Sequence, residues 1–174
     1  MASHLRVDKI EPVDGVPTGG GGGIVQVVQT VKNDVFTTAS VVSSGGYVDI
    51  TGLAVTITPK FSTSKVLVRA SIYNGVASNN VNFFRLLRGS TFINQPSGTS
   101  SSGASYNAHA FSYYDAAYQD NTSIELLDSP ATTSATTYKI QMGVTGGTAC
   151  INAFASSTSN YFGISTITAM EVSA

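Results

Sequence analysis

Apolar residues recur at every second position along much of this chain. Between residues 64 and 74, Val66, Val68, Ala70 and Ile72 occupy alternate positions. The same period of two returns in the segments 136–145, 148–154 and 163–172. Successive side chains of a strand point to opposite faces, so this pattern predicts half-buried β-strands. A sustained helical spacing of apolar residues is missing.

Turn-forming residues separate the alternating runs, for example Ser43-Ser44-Gly45-Gly46, Thr58-Pro59 and Gly146-Gly147. The predicted strands are 24–31, 34–42, 47–58, 64–74, 81–88, 105–115, 122–128, 136–145, 148–155 and 163–172. Strands of this number and length predict an all-β fold, a jelly-roll sandwich.

The N-terminal segment differs in character from this β-rich body. Residues 1–17 are followed by Thr18 and by five glycines, residues 19–23. Because glycine loses more backbone entropy on ordering than any other residue, this run is predicted to be a flexible linker that acts as a swivel. We expect two parts: an anchor with its swivel, residues 1–23, and a jelly-roll body, residues 24–174. Pro12 and Pro17 disfavour a helix, so the anchor is predicted to be an extended peptide laid on a partner. Its candidate anchoring residues are Leu5, Val7, Ile10, Val13 and Val16.

Composition narrows the classes of function. Only 11% of the 174 residues are charged, against about 25% in an average domain. Such a low share fits flanks that are covered by partners, or a surface coated with Ser and Thr. The net charge of −1 gives no electrostatic case for nucleic acid. No apolar run is long enough to span a membrane as a helix, and the N-terminus has no apolar core of a signal peptide.

Catalytic signatures are weak, and we predict that the chain is not an enzyme. Only His4 and His109 could act as imidazole bases, and the latter reads as an ordinary strand histidine. The Gly-x-Ser-x-Gly pattern of serine hydrolases does not occur. The chain has ten acidic residues, so a pair of carboxylates across a cleft, as in glycosidases, is not excluded by composition.

Metal and cofactor signatures are equally weak. Two histidines and one cysteine, far apart in sequence, do not make a zinc site. Asp115, Asp120 and Asp128 could meet in the fold but lack the spacing of a calcium loop. Cys150 is predicted to be a small buried hydrophobe. We expect no metal and no cofactor.

Tyrosines cluster beside the polar segment 94–105, which we expect to be a flexible exposed loop. The cluster comprises Tyr106, Tyr113, Tyr114 and Tyr118. These side chains could pack in a sheet or subunit interface, or could form a surface on which sugars stack. The candidate host-contact residues are Tyr106 and Tyr118, and the candidate trimer-interface residues are Tyr113 and Phe162. No basic residue lies between Gly89 and Tyr138, so any host glycan bound there should be neutral or weakly charged.

Several motifs resemble those of a known group of proteins. The segments LRVDKIEPVDGVPTGGGGGIVQVVQ, LAVTITPKFSTSKVLV, FFRLLRGSTFI, LLDSPATTSATTYKIQM and ISTITAMEV are similar to small virion fibre-type proteins of tailed bacteriophages, cyanophages among them. The resemblance covers most of the chain. It implies a trimeric jelly roll of the tumour-necrosis-factor shape and a place in the virion.

Together these features suggest a tail or baseplate fibre module that projects a homotrimeric head for host-surface contact. Its N-terminal peptide would bind other phage virion proteins. A head fibre or capsid decoration protein with the same fold is the alternative. A small glycan-processing enzyme is a third possibility, from a different class.

Overall fold

The computed structural model describes residues 23–44, 46–76, 79–98, 106–114, 118–154 and 157–173. For Ser44, Tyr114, Tyr118 and residues 157–161 the description covers the backbone alone. The predicted anchoring residues Leu5, Val7, Ile10, Val13 and Val16 lie outside the described residues, so the anchor stays a prediction.

Almost every regular element in the described residues is a β-strand. The strands are β1 Ile24–Lys32, β2 Phe36–Thr38, β3 Val48–Ile57, β4 Lys65–Val76, β5 Asn80–Arg88, β6 Thr91–Phe92, β7 Ala110–Tyr114, β8 Tyr118–Asp128, β9 Thr136–Val144, β10 Ala149–Ile151, β11 Ala153–Phe154, β12 Ser157–Phe162 and β13 Ser165–Val172. A single 3-10 turn, Val42–Ser44, follows β2. No helix of the described part is long and apolar enough to cross a membrane.

Two antiparallel sheets form a jelly roll, as the alternation predicts. Sheet A has the order β1-β13-β4-β8, and sheet B has the order β3-β9-β5-β7. Strand β8 covers one edge of β4, while β13 and β10 share its other edge. Strand β2 extends sheet A beyond β10, and β6 pairs with one end of β5. Apart from the β5–β6 hairpin, neighbours in these two sheets are far apart in sequence, as the crossovers of a jelly roll require.

The core lies between the two sheets and is built from the inward positions of the alternating strands. In β4, Val66, Val68, Ala70 and Ile72 are at most 1% exposed. The facing residues from sheet B include Leu53, Val55, Phe84, Leu86, Ile140 and Met142. Burial of so many large apolar side chains supplies the main stabilisation of the body.

The strand bounds depart from prediction where single residues interrupt the pattern. The predicted strand 148–155 is divided into β10 and β11, because Asn152 has a φ of 61°. The predicted strand 34–42 ends at Thr38, since Ser40 and Val41 already bond to Val144 of sheet B. Strand β12 was not predicted, because its sequence STSNYF shows no alternation of apolar residues.

Candidate functional site

The register between β5 and β7 brings aromatic residues together on sheet B. Phe83 lies opposite Phe111, and Val81 lies opposite Tyr113. Between them, Ser112 is buried and points to the interior, where it donates a hydrogen bond to Asn74. Because side chains alternate along a strand, Phe111 and Tyr113 point away from the core.

We call Phe83, Tyr106, Phe111 and Tyr113 the aromatic surface. The ring of Phe83 lies 5.5 Å from that of Tyr106 and 6.4 Å from that of Phe111, centroid to centroid. Phe111 is 69% exposed, Tyr113 53% and Tyr106 38%. Exposed aromatic rings offer an apolar face to a ligand, and tyrosine adds a polar tip.

A stacked arginine fixes the segment that carries Tyr106. The Arg85 guanidinium carbon lies 3.3 Å from the ring centroid of Tyr47 and 4.9 Å from that of Phe92. Its Nε donates a hydrogen bond of 2.7 Å to the carbonyl oxygen of Asn107. The Tyr47 hydroxyl donates to the same oxygen. A cation between two rings is well stabilised when partly desolvated, so this stack holds residue 107 against sheet B.

Both ring nitrogens of His109 lie within hydrogen-bonding distance of backbone groups. Its Nδ1 accepts the N–H of Leu86 at 2.9 Å, and its Nε2 lies 2.9 Å from the carbonyl oxygen of Ile93, to which it donates in the neutral form. Its ring meets that of Phe92 edge-on at 4.9 Å. Burial lowers the pKa of His109, although the bond to Ile93 opposes this effect. Both nitrogens are therefore occupied by backbone groups, as an ordinary structural histidine requires.

The predicted site residues fall in three different places. Tyr106 and Tyr113, assigned above to different roles, share the aromatic surface of sheet B. Tyr118 begins β8, and its backbone lies opposite Val76 in sheet A. Phe162 ends β12 in a separate two-stranded ribbon with β11 and is 61% exposed. Two of the predicted tyrosines, Tyr106 and Tyr113, therefore lie on sheet B, whereas Tyr118 begins a strand of sheet A.

A second apolar surface lies on the outer face of sheet A. Val27, Met170, Leu67 and Leu127 face one another in register across β1, β13, β4 and β8, and we call them the apolar row. Val27 is 55% exposed and Leu127 is 47% exposed. This surface was not predicted, because apolar residues occur on both faces of these strands.

The next row across sheet A is polar. Gln29 donates a hydrogen bond of 2.9 Å to Thr168, and Arg69 pairs with Glu125 at 3.7 Å on the exposed surface. The ion pair is self-contained, so the face carries no uncompensated charge at this row.

Further apolar residues lie near the opposite end of β4. Gly163 packs flat against the ring of Tyr73, since a Cβ atom at this position would lie 2.4 Å from two ring carbons. The flanking residues Phe162 and Ile164 are 61% and 60% exposed. Neither the apolar row nor the pair Phe162 and Ile164 was predicted as a surface from the sequence, although Phe162 alone was a candidate for the trimer interface.

A charged cluster joins the two sheets at one end of the sandwich. The Arg88 Nη1 atom of β5 donates to both carboxylate oxygens of Asp128 of β8, at 2.9 and 2.8 Å. The hydroxyl of Tyr138 donates to Asp128 at 2.7 Å. Burial and this bond to a carboxylate raise the pKa of Tyr138, so its hydroxyl stays protonated. The cluster is held by its own counter-charge and needs no metal ion.

Neither metal chemistry nor thiol chemistry is favoured in the described part of the chain. Among those residues, no three His, Cys, Asp or Glu side chains lie close enough together to hold a metal ion. Cys150 is buried, as predicted, and burial raises its pKa, which disfavours the reactive thiolate.

No family model matches this chain, and no curated protein matches it. Among solved structures, that of infectious bursal disease virus Gx strain overlaps with a TM-score of 0.44 at 14% identity, covering 86% of this chain and 37% of that chain. The crystal structure of the VP2 subviral particle of the same virus overlaps with a TM-score of 0.43 at 11% identity, covering 97% of this chain and 43% of that chain. The present chain thus spans about two fifths of the chains that it overlaps.

Proposed function

We propose that this chain is a non-enzymatic structural virion protein of a tailed bacteriophage. In this proposal it is a tail or baseplate fibre module whose homotrimeric head contacts the host surface. The observation that carries the proposal is the exposure of two different apolar surfaces on opposite sides of the jelly roll. A monomer in solution rarely leaves so much apolar surface uncovered, whereas a subunit of a multimer buries it.

The outer face of sheet A is the surface that we assign to the homotrimer. It carries the apolar row at one end, and near the other end Gly163, flanked by the exposed Phe162 and Ile164, lies against the ring of Tyr73. Between them lie small polar residues and the self-compensated pair of Arg69 and Glu125. Depletion of charge beside apolar residues is typical of subunit interfaces.

The aromatic surface of sheet B is the surface that we assign to host contact. Tyr113 lies on sheet B with Tyr106 and apart from Phe162, so we move it from the trimer interface to this role. Phe111 joins them as the most exposed ring of the group, at 69%. Tyr118 remains a candidate on the edge of sheet A. The expected partner is a neutral or weakly charged surface glycan.

The trimer is tested on the full chain by light scattering. Both exposed members of the apolar row are changed in the double variant Val27→Ser/Leu127→Ser, which should be folded but monomeric at micromolar concentration. The matched control, Phe111→Ser, removes an exposed ring from the other sheet and should stay trimeric. A wild-type monomer, or a trimer untouched by the double variant, would contradict the assignment of this face.

The virion role is tested on particles. Gold-labelled antibody should mark the tail or baseplate, and Phe111→Ser particles should contain the protein but adsorb poorly to the host. Labelling on the capsid would favour a head fibre or decoration protein instead. Release of sugar from host polysaccharide by the purified chain would overturn the non-enzymatic assignment.

A further inference from the structure

A cleft opens at one end of the sandwich, where the β5–β6 hairpin of sheet B meets the end of β8 of sheet A. The residues that matter for its chemistry are Arg88, Thr91, Phe92, Asn94, Leu127 and Asp128. It is distinct from the exposed rings of Phe111 and Tyr113, and it borders the apolar row, because Leu127 belongs to both.

The floor of the cleft is polar but has no net charge. Asp128 is 8% exposed and accepts hydrogen bonds from Arg88 and Tyr138, so its carboxylate is already compensated. Within the described part of the chain, the side-chain hydrogen bonds of Arg88 that join it to Asp128 and Ser129 all leave from Nη1. Its Nη2 and Nε therefore keep donor capacity for an oxygen of a ligand.

Phe92 and Leu127 contribute apolar side chains to a mostly polar lining, and the ring of Phe92 is fixed in place. The Phe92 ring is held before any ligand arrives, by the Arg85 guanidinium at 4.9 Å and by the His109 ring at 4.9 Å. Across the cleft, Leu127 is 47% exposed. A fixed aromatic ring binds a flat apolar face with little loss of side-chain entropy.

The rim supplies groups that both donate and accept. The Thr91 hydroxyl and the Asn94 amide are exposed at the cleft, and Asn94 is held with a φ of 47° in the turn that follows β6. Several polar groups that converge beside one fixed aromatic ring suit a ligand that carries many hydroxyl groups.

We propose that this cleft binds a neutral, hydroxylated ring, namely one hexopyranoside unit of a glycan. The unit would stack its apolar face on Phe92 and bond its hydroxyls to Arg88, Thr91 and Asn94. A neutral ligand is preferred, because Arg88 and Asp128 already neutralise each other and the cleft has no other charged residue among its described lining. The proposal shares Leu127 with the face assigned to the trimer, but its test requires neither a trimer nor a virion location.

Saturation-transfer NMR on the full chain tests the proposal with four probes. They are the methyl pyranosides of glucose, galactose and mannose, and methyl glucuronide as the anionic counterpart. At least one neutral hexoside should receive saturation and show a dissociation constant lower than that of the glucuronide. No transfer to any neutral probe, or tighter binding of the glucuronide, would overturn the proposal.

Variants then locate the binding site. Thr91→Val and Phe92→Leu should each weaken binding of the neutral probe by about fivefold. Thr51→Val, an exposed strand substitution outside the cleft, should leave it unchanged. Thermal unfolding of each variant verifies the fold, and Thr91→Val, being isosteric, remains informative if Phe92→Leu is unstable. If the Thr91→Val and Phe92→Leu variants fold and bind the neutral probe as tightly as wild type does, the ligand binds elsewhere and the proposal is wrong.

Discussion

The carboxylate of Glu171 accepts the backbone N–H of Lys60 at 2.8 Å. The same oxygen accepts the N–H of Phe61 at 3.2 Å, and the other oxygen accepts a bond of 2.6 Å from the side chain of Gln26. Glu171 lies on β13 and is 0% exposed, whereas Lys60 lies in the loop from β3 to β4. A buried charge is thus balanced by N–H donors, which tie the connection between the two sheets to sheet A.

The variant Glu171→Gln should lower the free energy of unfolding by about 1–3 kcal/mol, because a neutral amide accepts fewer bonds and places an N–H against other donors. Urea unfolding measures the change. The control Glu125→Gln removes an exposed carboxylate at a 3.7 Å ion pair and should change stability by less than about 0.5 kcal/mol. Equal effects of the two variants would refute the role of Glu171.

Acid should weaken the same contact. Burial raises the pKa of Glu171, but the hydrogen bonds that its carboxylate accepts from Gln26, Lys60 and Phe61 outweigh it, so the pKa is lowered from 4.5. The unfolded chain therefore takes up the proton first, and the stability from Glu171 is present above pH 4.5 and lost as pH falls through the folded pKa. The difference in unfolding free energy between wild type and Glu171→Gln should shrink in that window. A difference independent of pH would argue against an ionised carboxylate.

His109 should add a second loss of stability in a milder range. Burial lowers its pKa from 6.5, so below about pH 6.5 the unfolded chain binds a proton that the folded chain resists. Protonation of Nδ1 would also break its bond from the N–H of Leu86. Wild type should therefore lose stability as pH falls from about 6.5 through the lowered folded pKa, relative to His109→Gln, which does not titrate. Parallel pH profiles of the two proteins would contradict this expectation.

Asn152 should be sensitive to both its side chain and its backbone. Its Nδ2 donates to the carbonyls of Lys32 and Asp34 at 2.8 and 3.0 Å, and its Oδ1 accepts from Ser165 at 2.7 Å. Asn152→Ala should cost about 2–4 kcal/mol, from buried groups left without partners and from a φ of 61°. Asn152→Gly loses the same side-chain hydrogen bonds, but glycine adopts a positive φ without strain. It should therefore be more stable than Asn152→Ala by about 1 kcal/mol. The reverse order in urea unfolding would rule out a contribution from backbone strain.

Gly163 should tolerate no side chain while Tyr73 is present. A Cβ atom there would lie 2.4 Å from the ring of Tyr73, and its three nearest atoms would all be carbons of that ring. Gly163→Ala should cost about 1–3 kcal/mol, whereas Gly98→Ala, in open space, should cost little. In a double-mutant cycle, Tyr73→Ala should relieve the cost of Gly163→Ala. Additive effects would place the cause elsewhere.

The sequence allowed the fold class to be predicted because burial imposes a local pattern. Val66, Val68, Ala70 and Ile72 alternate with polar residues, and only a strand with one buried face uses such an order. The strands β3, β4, β5, β9 and β13 were therefore predicted close to their observed bounds, as were the burial of Cys150 and the structural part played by His109.

Tertiary pairing decided the surfaces. Val27 and Val28 are chemically equal, and only the register of β1 with β13 places Val27 outside and Val28 against the core. Likewise, Tyr106 and Tyr113 share a surface because β7 pairs with β5, while Tyr118 begins a strand of the other sheet. The cleft at Arg88 and Asp128 unites residues 40 positions apart. Alternation specifies that a strand has two faces, but contacts between distant strands decide which face meets the core and which meets a partner.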